Sequence, residues 1–112
     1  MAKFEIKVNG DCAQISSRLN SAVLDSGVSV NLVDSSRITV GDTSITVRVY
    51  DKYFARNGNR ASLTLTVAGN RDETYVSAIG AGGGSGAFFN FSLGAEDDFV
   101  ETVARAMRSM GY

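Results

Sequence analysis

Near the start of the chain apolar Phe4, Ile6 and Val8 alternate with charged Lys3, Glu5 and Lys7. A period of two sends successive side chains to opposite faces, so this pattern predicts a strand with one buried side. After Asn9-Gly10 the period lengthens. Cys12, Ile15, Leu19, Ala22 and Val23 fall along one helical stripe, with Ser16, Ser17, Arg18 and Asn20 expected toward water. Asp11 is placed to cap this helix, Gln14 to complete a capping box, and Gly27 to end the helix in the left-handed conformation.

From Val28 the period of two returns. Val28, Val30 and Leu32 predict a second strand, and Ile38 and Val40 a third beyond a turn near Asp34-Ser35-Ser36. Gly41-Asp42 supplies a tight turn into TSITVRVYDKYF, where Ile45, Val47 and Val49 form the apolar side and Thr46, Arg48 and Tyr50 the other. Asn57-Gly58 offers the next turn, and Ala61, Leu63, Leu65 and Val67 then alternate with Ser62, Thr64 and Thr66. A turn at Asn70-Arg71-Asp72 leads into ETYVSAIGA, and FFNFSL predicts a last strand after a run of glycines. The chain closes on a helix with an acidic first turn, Glu96-Asp97-Asp98, an apolar stripe through Phe99, Val100, Val103, Ala106, Met107 and Met110, and a stop at Gly111.

Short turns make consecutive strands antiparallel neighbours, and two amphipathic helices are available to cover one face. The expected fold is a single α+β domain over 1–112, a two-layer sandwich in the order β-α-β(5–6)-α, with both helices on one face of an antiparallel sheet. That order is similar to the TATA-binding-protein-like and helix-grip folds. The segments RVYDKYF, GNRASLTLTVAG and AIGAGGGSGAFFNFSLGAEDDFVETV resemble a family of small bacterial single-domain proteins grouped as a domain of unknown function. The resemblance spans nearly the whole chain and implies no activity and no catalytic residues.

Composition narrows the chemistry. There is no histidine and one cysteine, so a Ser-His-Asp triad, a Cys-His pair and a cysteine-rich zinc site are all excluded. Eleven Lys and Arg against twelve Asp and Glu leave a net charge of -1, with the basic residues scattered, so nucleic acid is not an expected partner. The lone cysteine and the alternating first residues point to a cytoplasmic protein without a membrane span. No cofactor or metal is expected.

Four features remain as candidate chemistry. GAGGGSGAFF carries the spacing Gly80-x-Gly82-x-x-Ser85-Gly86, near a dinucleotide fingerprint, with Gly82, Gly83, Gly84 and Ser85 able to present backbone N–H groups to an anion. A strand pattern follows where that motif needs a helix, which favours a hairpin tip or a sheet bend. Arg48, Tyr50, Tyr53 and Arg60 are expected on paired strands, where guanidinium and phenol can hold a carboxylate or phosphate, or simply stack. Phe88, with Phe89 and Phe91, can line an apolar pocket or pack the core. The Ser- and Thr-rich face, Thr39, Thr46, Ser62, Thr64 and Thr66, is lightly charged and open to self-association. The expected function is a non-enzymatic binding or protein-interaction module, with a homodimer as one partner. A carrier of an apolar or amphipathic ligand between sheet and helix is the first alternative, and anion or nucleotide binding at Gly80–Gly86 the second.

Overall fold

The computed structural model describes residues 2–54, 58–82 and 95–112. Strand β1 (Ala2–Val8) leads into helix α1 (Cys12–Leu24), followed by β2 (Val30–Val40), β3 (Thr43–Phe54), β4 (Asn59–Gly69), β5 (Thr74–Gly82) and helix α2 (Ala95–Ser109). The five strands form one sheet in the order β1-β5-β4-β3-β2, with every neighbouring pair antiparallel. This is the α+β sandwich that the patterning predicts. The glycine segment Gly83–Gly86 and the predicted strand FFNFSL, with Phe88, lie outside the described residues.

Local chemistry sets the element ends. Asp11 caps α1 by accepting from the Gln14 N–H at 3.1 Å. The N-terminus of α1 is pinned to the β4–β5 turn, since Gly10 N–H donates to Asp72 O and Cys12 N–H to Asn70 O, at 3.0 and 2.9 Å. Asn70 shapes that turn by accepting from the Asp72 and Glu73 N–H groups. The β2–β3 turn needs the positive φ of Gly41, 63°. Gly111, at φ 96°, stops α2 as its position predicts.

Two expectations are corrected. Asp34-Ser35-Ser36 is no turn: β2 runs unbroken from Val30 to Val40, with a bulge between Leu32 and Asp34. Residues that favour a turn also fit a bulge, and the two predicted strands therefore merge into one. Gly27 does not end α1 in the left-handed conformation either; Asp25 closes it with αR geometry, its N–H donating to Ser21 O while the Ser26 N–H donates to Val23 O.

Both helices lie on one face. Helix α2 packs over β1, β5 and β4, while α1 packs over β4 and β2. Between them Leu63 and Leu65 from β4, Val76 and Ala78 from β5, Leu19 and Val23 from α1, and Phe99 and Val103 from α2 have no exposed surface. Apart from Ala78, each such side chain contributes roughly 1.5–3 kcal/mol. Gly80 of β5 lets α2 approach closely, because a Cβ there would lie 2.8 Å from Glu96 O and 2.9 Å from Val100 Cγ2.

The register corrects a third expectation, the facing of β3. Tyr50 pairs with Leu63, Arg48 with Leu65 and Thr46 with Val67, so these three point toward the helices. Ile45, Val47 and Val49 point to the open side, as do Ser62, Thr64 and Thr66 of β4. Alternation shows that two sets oppose each other, but pairing with β4 decides which set is covered.

Candidate functional site: a polar groove beside helix α1

Helix α1 covers the β2–β3 margin with polar side chains. Ser16 and Asn20, four residues apart, share one helix face, and both meet β3. Arg48 Nη1 donates to Ser16 Oγ at 2.8 Å and to Ser16 O at 3.3 Å. The fully buried Tyr50 donates its hydroxyl to Asn20 Oδ1 at 2.7 Å. Burial pushes the Tyr50 phenol up to about 12, against a smaller opposing pull from the Arg48 charge.

Between these partners lies a groove of about 320 Å³, lined by Ser16, Ser17 and Asn20 of α1, Ser35 and Arg37 of β2, and Ser44, Thr46 and Arg48 of β3. The bulge in β2 is what brings Arg37 here. Before it, Val30 and Leu32 face the helices; after it, Ser35 and Arg37 do, paired with Arg48 and Thr46. Without that extra residue the phase of the strand would point Arg37 to the open face.

Arg37 and Arg48 are thus diagonal neighbours on adjacent strands, a relation that places Cβ atoms about 7 Å apart. No carboxylate lines the groove. Among the described residues Arg37 has no hydrogen-bond or ion-pair partner, and Arg48 bonds only to Ser16. Two guanidinium groups beside serine, threonine and asparagine donors suit a carboxylate or phosphate, to which arginine can give paired hydrogen bonds.

A larger, more open hollow of about 450 Å³ adjoins the groove at Cys12 and is lined by Asp11, Asp42, Asp72 and Arg71. Asp11 is engaged there as the α1 cap. Among the described residues no group of His, Cys, Asp and Glu is arranged to hold a metal ion. Cys12 is free and buried, its Sγ 3.8 Å from Ser44 O. Burial pushes its thiol up, while the Thr74 hydroxyl pulls the other way.

Of the residues singled out in the sequence, Arg48 lines the groove, and Tyr50 lies buried behind it, bonded to Asn20 of the lining. Arg60 does not join them. It pairs with Tyr53 on the opposite face, 5.8 Å from the ring centroid, and binds Asp51 Oδ2 at 3.3 Å. Gly82 ends β5 opposite Ala61, and Gly83, Gly84, Ser85 and Phe88 are outside the described residues. Sequence reasoning missed Arg37, Ser16, Asn20 and Ser35. The Ser16 and Asn20 spacing was a usable signal, whereas Asp34-Ser35-Ser36 signal a break in β2 without telling a turn from the bulge that turns Arg37 inward.

Among the described residues no helix is long and apolar enough to cross a membrane. No curated protein matches the chain in sequence. Among solved structures it is similar to the crystal structure of TTHA0849 from Thermus thermophilus, at 10% identity, 96% coverage of this chain, 94% of that one and a TM-score of 0.35. A family model described as a family of unknown function, DUF6054, matches residues 1–111, and the chain belongs to that family.

Proposed function

We propose that this protein is a non-enzymatic binding module that seats a small anionic group, a carboxylate or a phosphate, in the groove between α1 and the β2–β3 margin. The observation that carries this reading is the pair Arg37 and Arg48, diagonal neighbours on one face of a groove whose lining has several hydroxyls and no carboxylate. An anion between them would relieve the repulsion of two like charges and accept hydrogen bonds from their guanidinium groups.

Binding without turnover fits the residues present. The groove offers no histidine to activate its hydroxyls, and its one thiol, Cys12, is pushed up by burial and stays protonated near neutral pH. The free thiol also suits a reducing, cytoplasmic setting. Gly80, the first glycine of the alternative phosphate loop, is accounted for by the close approach of α2.

Thermal unfolding at constant ionic strength tests the proposal, with inorganic phosphate, acetate and chloride as separate arms. At ten times its dissociation constant a bound anion stabilises by about 1.4 kcal/mol, a shift of several degrees for a domain of this size. Phosphate or acetate is expected to raise the midpoint above chloride, and Arg37→Gln to remove most of that rise. Equal midpoints in all three salts, or a rise left undiminished by Arg37→Gln, would overturn it.

A further inference from the structure

We propose that the sheet face opposite the helices is a dimer interface, and that its occupant is the same face of a second copy of this chain. This inference is independent of the groove, which opens on the helix side. The face has no covering layer among the described residues, because both helices lie on the other side. Its centre is nevertheless uncharged: Ile45, Val47 and Val49 of β3 stand beside Thr64 and Thr66 of β4. On the flanking strands Ile38 and Val40 are 55% and 62% exposed, and Ile79 is 42% exposed.

Charge is confined to the perimeter. Lys3, Glu5 and Lys7 follow β1, the edge strand on one side, and Asp34 lies on β2, the edge strand on the other. Asp51 and Arg60 close one end as an ion pair. An uncharged centre inside a charged rim is the anatomy of a protein interface and not of a solvated sheet.

A second copy fits this surface. An uncharged face can meet itself across a two-fold axis without burying an unpaired ion. Its residues are mostly β-branched, with few rotamers to lose, and two such faces pack about 10 Å apart. With strands about 4.8 Å apart and a rise of about 3.3 Å per residue, the face measures roughly 20 by 30 Å. That is roughly 600 Å² in projection and more as corrugated accessible surface, matching the ~800 Å² per partner of a stable interface.

Sedimentation velocity on the full chain tests this, with Thr66→Lys and Ile79→Lys as variants. Both positions face water in a monomer, and circular dichroism identifies which variants keep the fold. The wild type is expected to sediment at twice the monomer mass. A folded variant is expected to weaken association about 100-fold, since its charge would be buried without a partner. Arg18→Glu on α1, far from this face, should leave the dimer intact. A monomeric wild type, or a dimer indifferent to both lysines as edge-to-edge pairing through β2 would be, overturns the proposal.

Discussion

Replacing Tyr50 by Phe removes one atom from the join between α1 and β3. The ring has no exposed surface and its hydroxyl donates to Asn20 Oδ1 at 2.7 Å, so the variant keeps the packing and loses that hydrogen bond. Asn20 is half-buried at the groove and can take water instead, which limits the loss to about 1 kcal/mol near neutral pH. The same hydroxyl sets an alkaline signature. Its folded value is raised from 10 to about 12, so the folded state holds the proton more tightly than the unfolded chain does. The associated stability is complete below the unfolded value and is lost as pH rises from about 10 to about 12. Two units correspond to at most about 2.7 kcal/mol, and water in the adjoining groove reduces this to about 1–2 kcal/mol. Urea unfolding across that range measures both effects. Tyr50→Phe should be less stable at neutral pH and should show a shallower alkaline decline. The remaining slope includes Tyr75, whose phenol is raised first by its hydrogen bond to Glu5. Equal stability of the two proteins near neutral pH, together with identical alkaline slopes, would refute the reasoning.

Other perturbations read other parts of the structure. Gly80→Ala forces a methyl group against Glu96 O and Val100 and should cost about 1–3 kcal/mol in urea unfolding, more than an alanine placed at exposed Gly58 apart from its backbone strain. Leu65→Ala, at a position with no exposed surface, should cost about 2–5 kcal/mol and lower the thermal midpoint accordingly. Asp11→Ala removes the α1 cap and should cost about 1 kcal/mol, lost most visibly as faster amide exchange in the first turn of the helix. Cys12 should resist alkylation in the folded protein and react on unfolding, since it is buried and its thiol is raised.

The parts of the fold that local chemistry specifies were legible. Asp11 announced its helix, Gly41 and Asn70 their turns, and β4 its strand through strict alternation. The facing of β3 was not, because Ile45, Val47 and Val49 are more apolar than Thr46, Arg48 and Tyr50, yet it is the latter that pair with Leu63, Leu65 and Val67. At the sheet margin α1 presents Ser16 and Asn20, so polar residues of β3 find partners there, and register overrides hydrophobicity. Of the groove, Arg48 and, behind its wall, Tyr50 were legible as candidates. Arg37 depends on the bulge after Leu32, which shifts the phase of β2; Asp34-Ser35-Ser36 mark the irregularity, but the residue pattern does not tell a bulge from a turn.

The most direct test of the anion site is its position. Nitrogen-edited NMR on the labelled protein, titrated with inorganic phosphate and then with acetate, reports each backbone amide separately. Saturable shifts are expected at Ser16–Asn20, Ser35–Arg37 and Ser44–Arg48, with the affinity weakened about 10- to 100-fold by Arg37→Gln as one charged hydrogen-bonding partner is lost. Shifts centred instead on Gly80–Gly82, or none that saturate, would contradict the anion site.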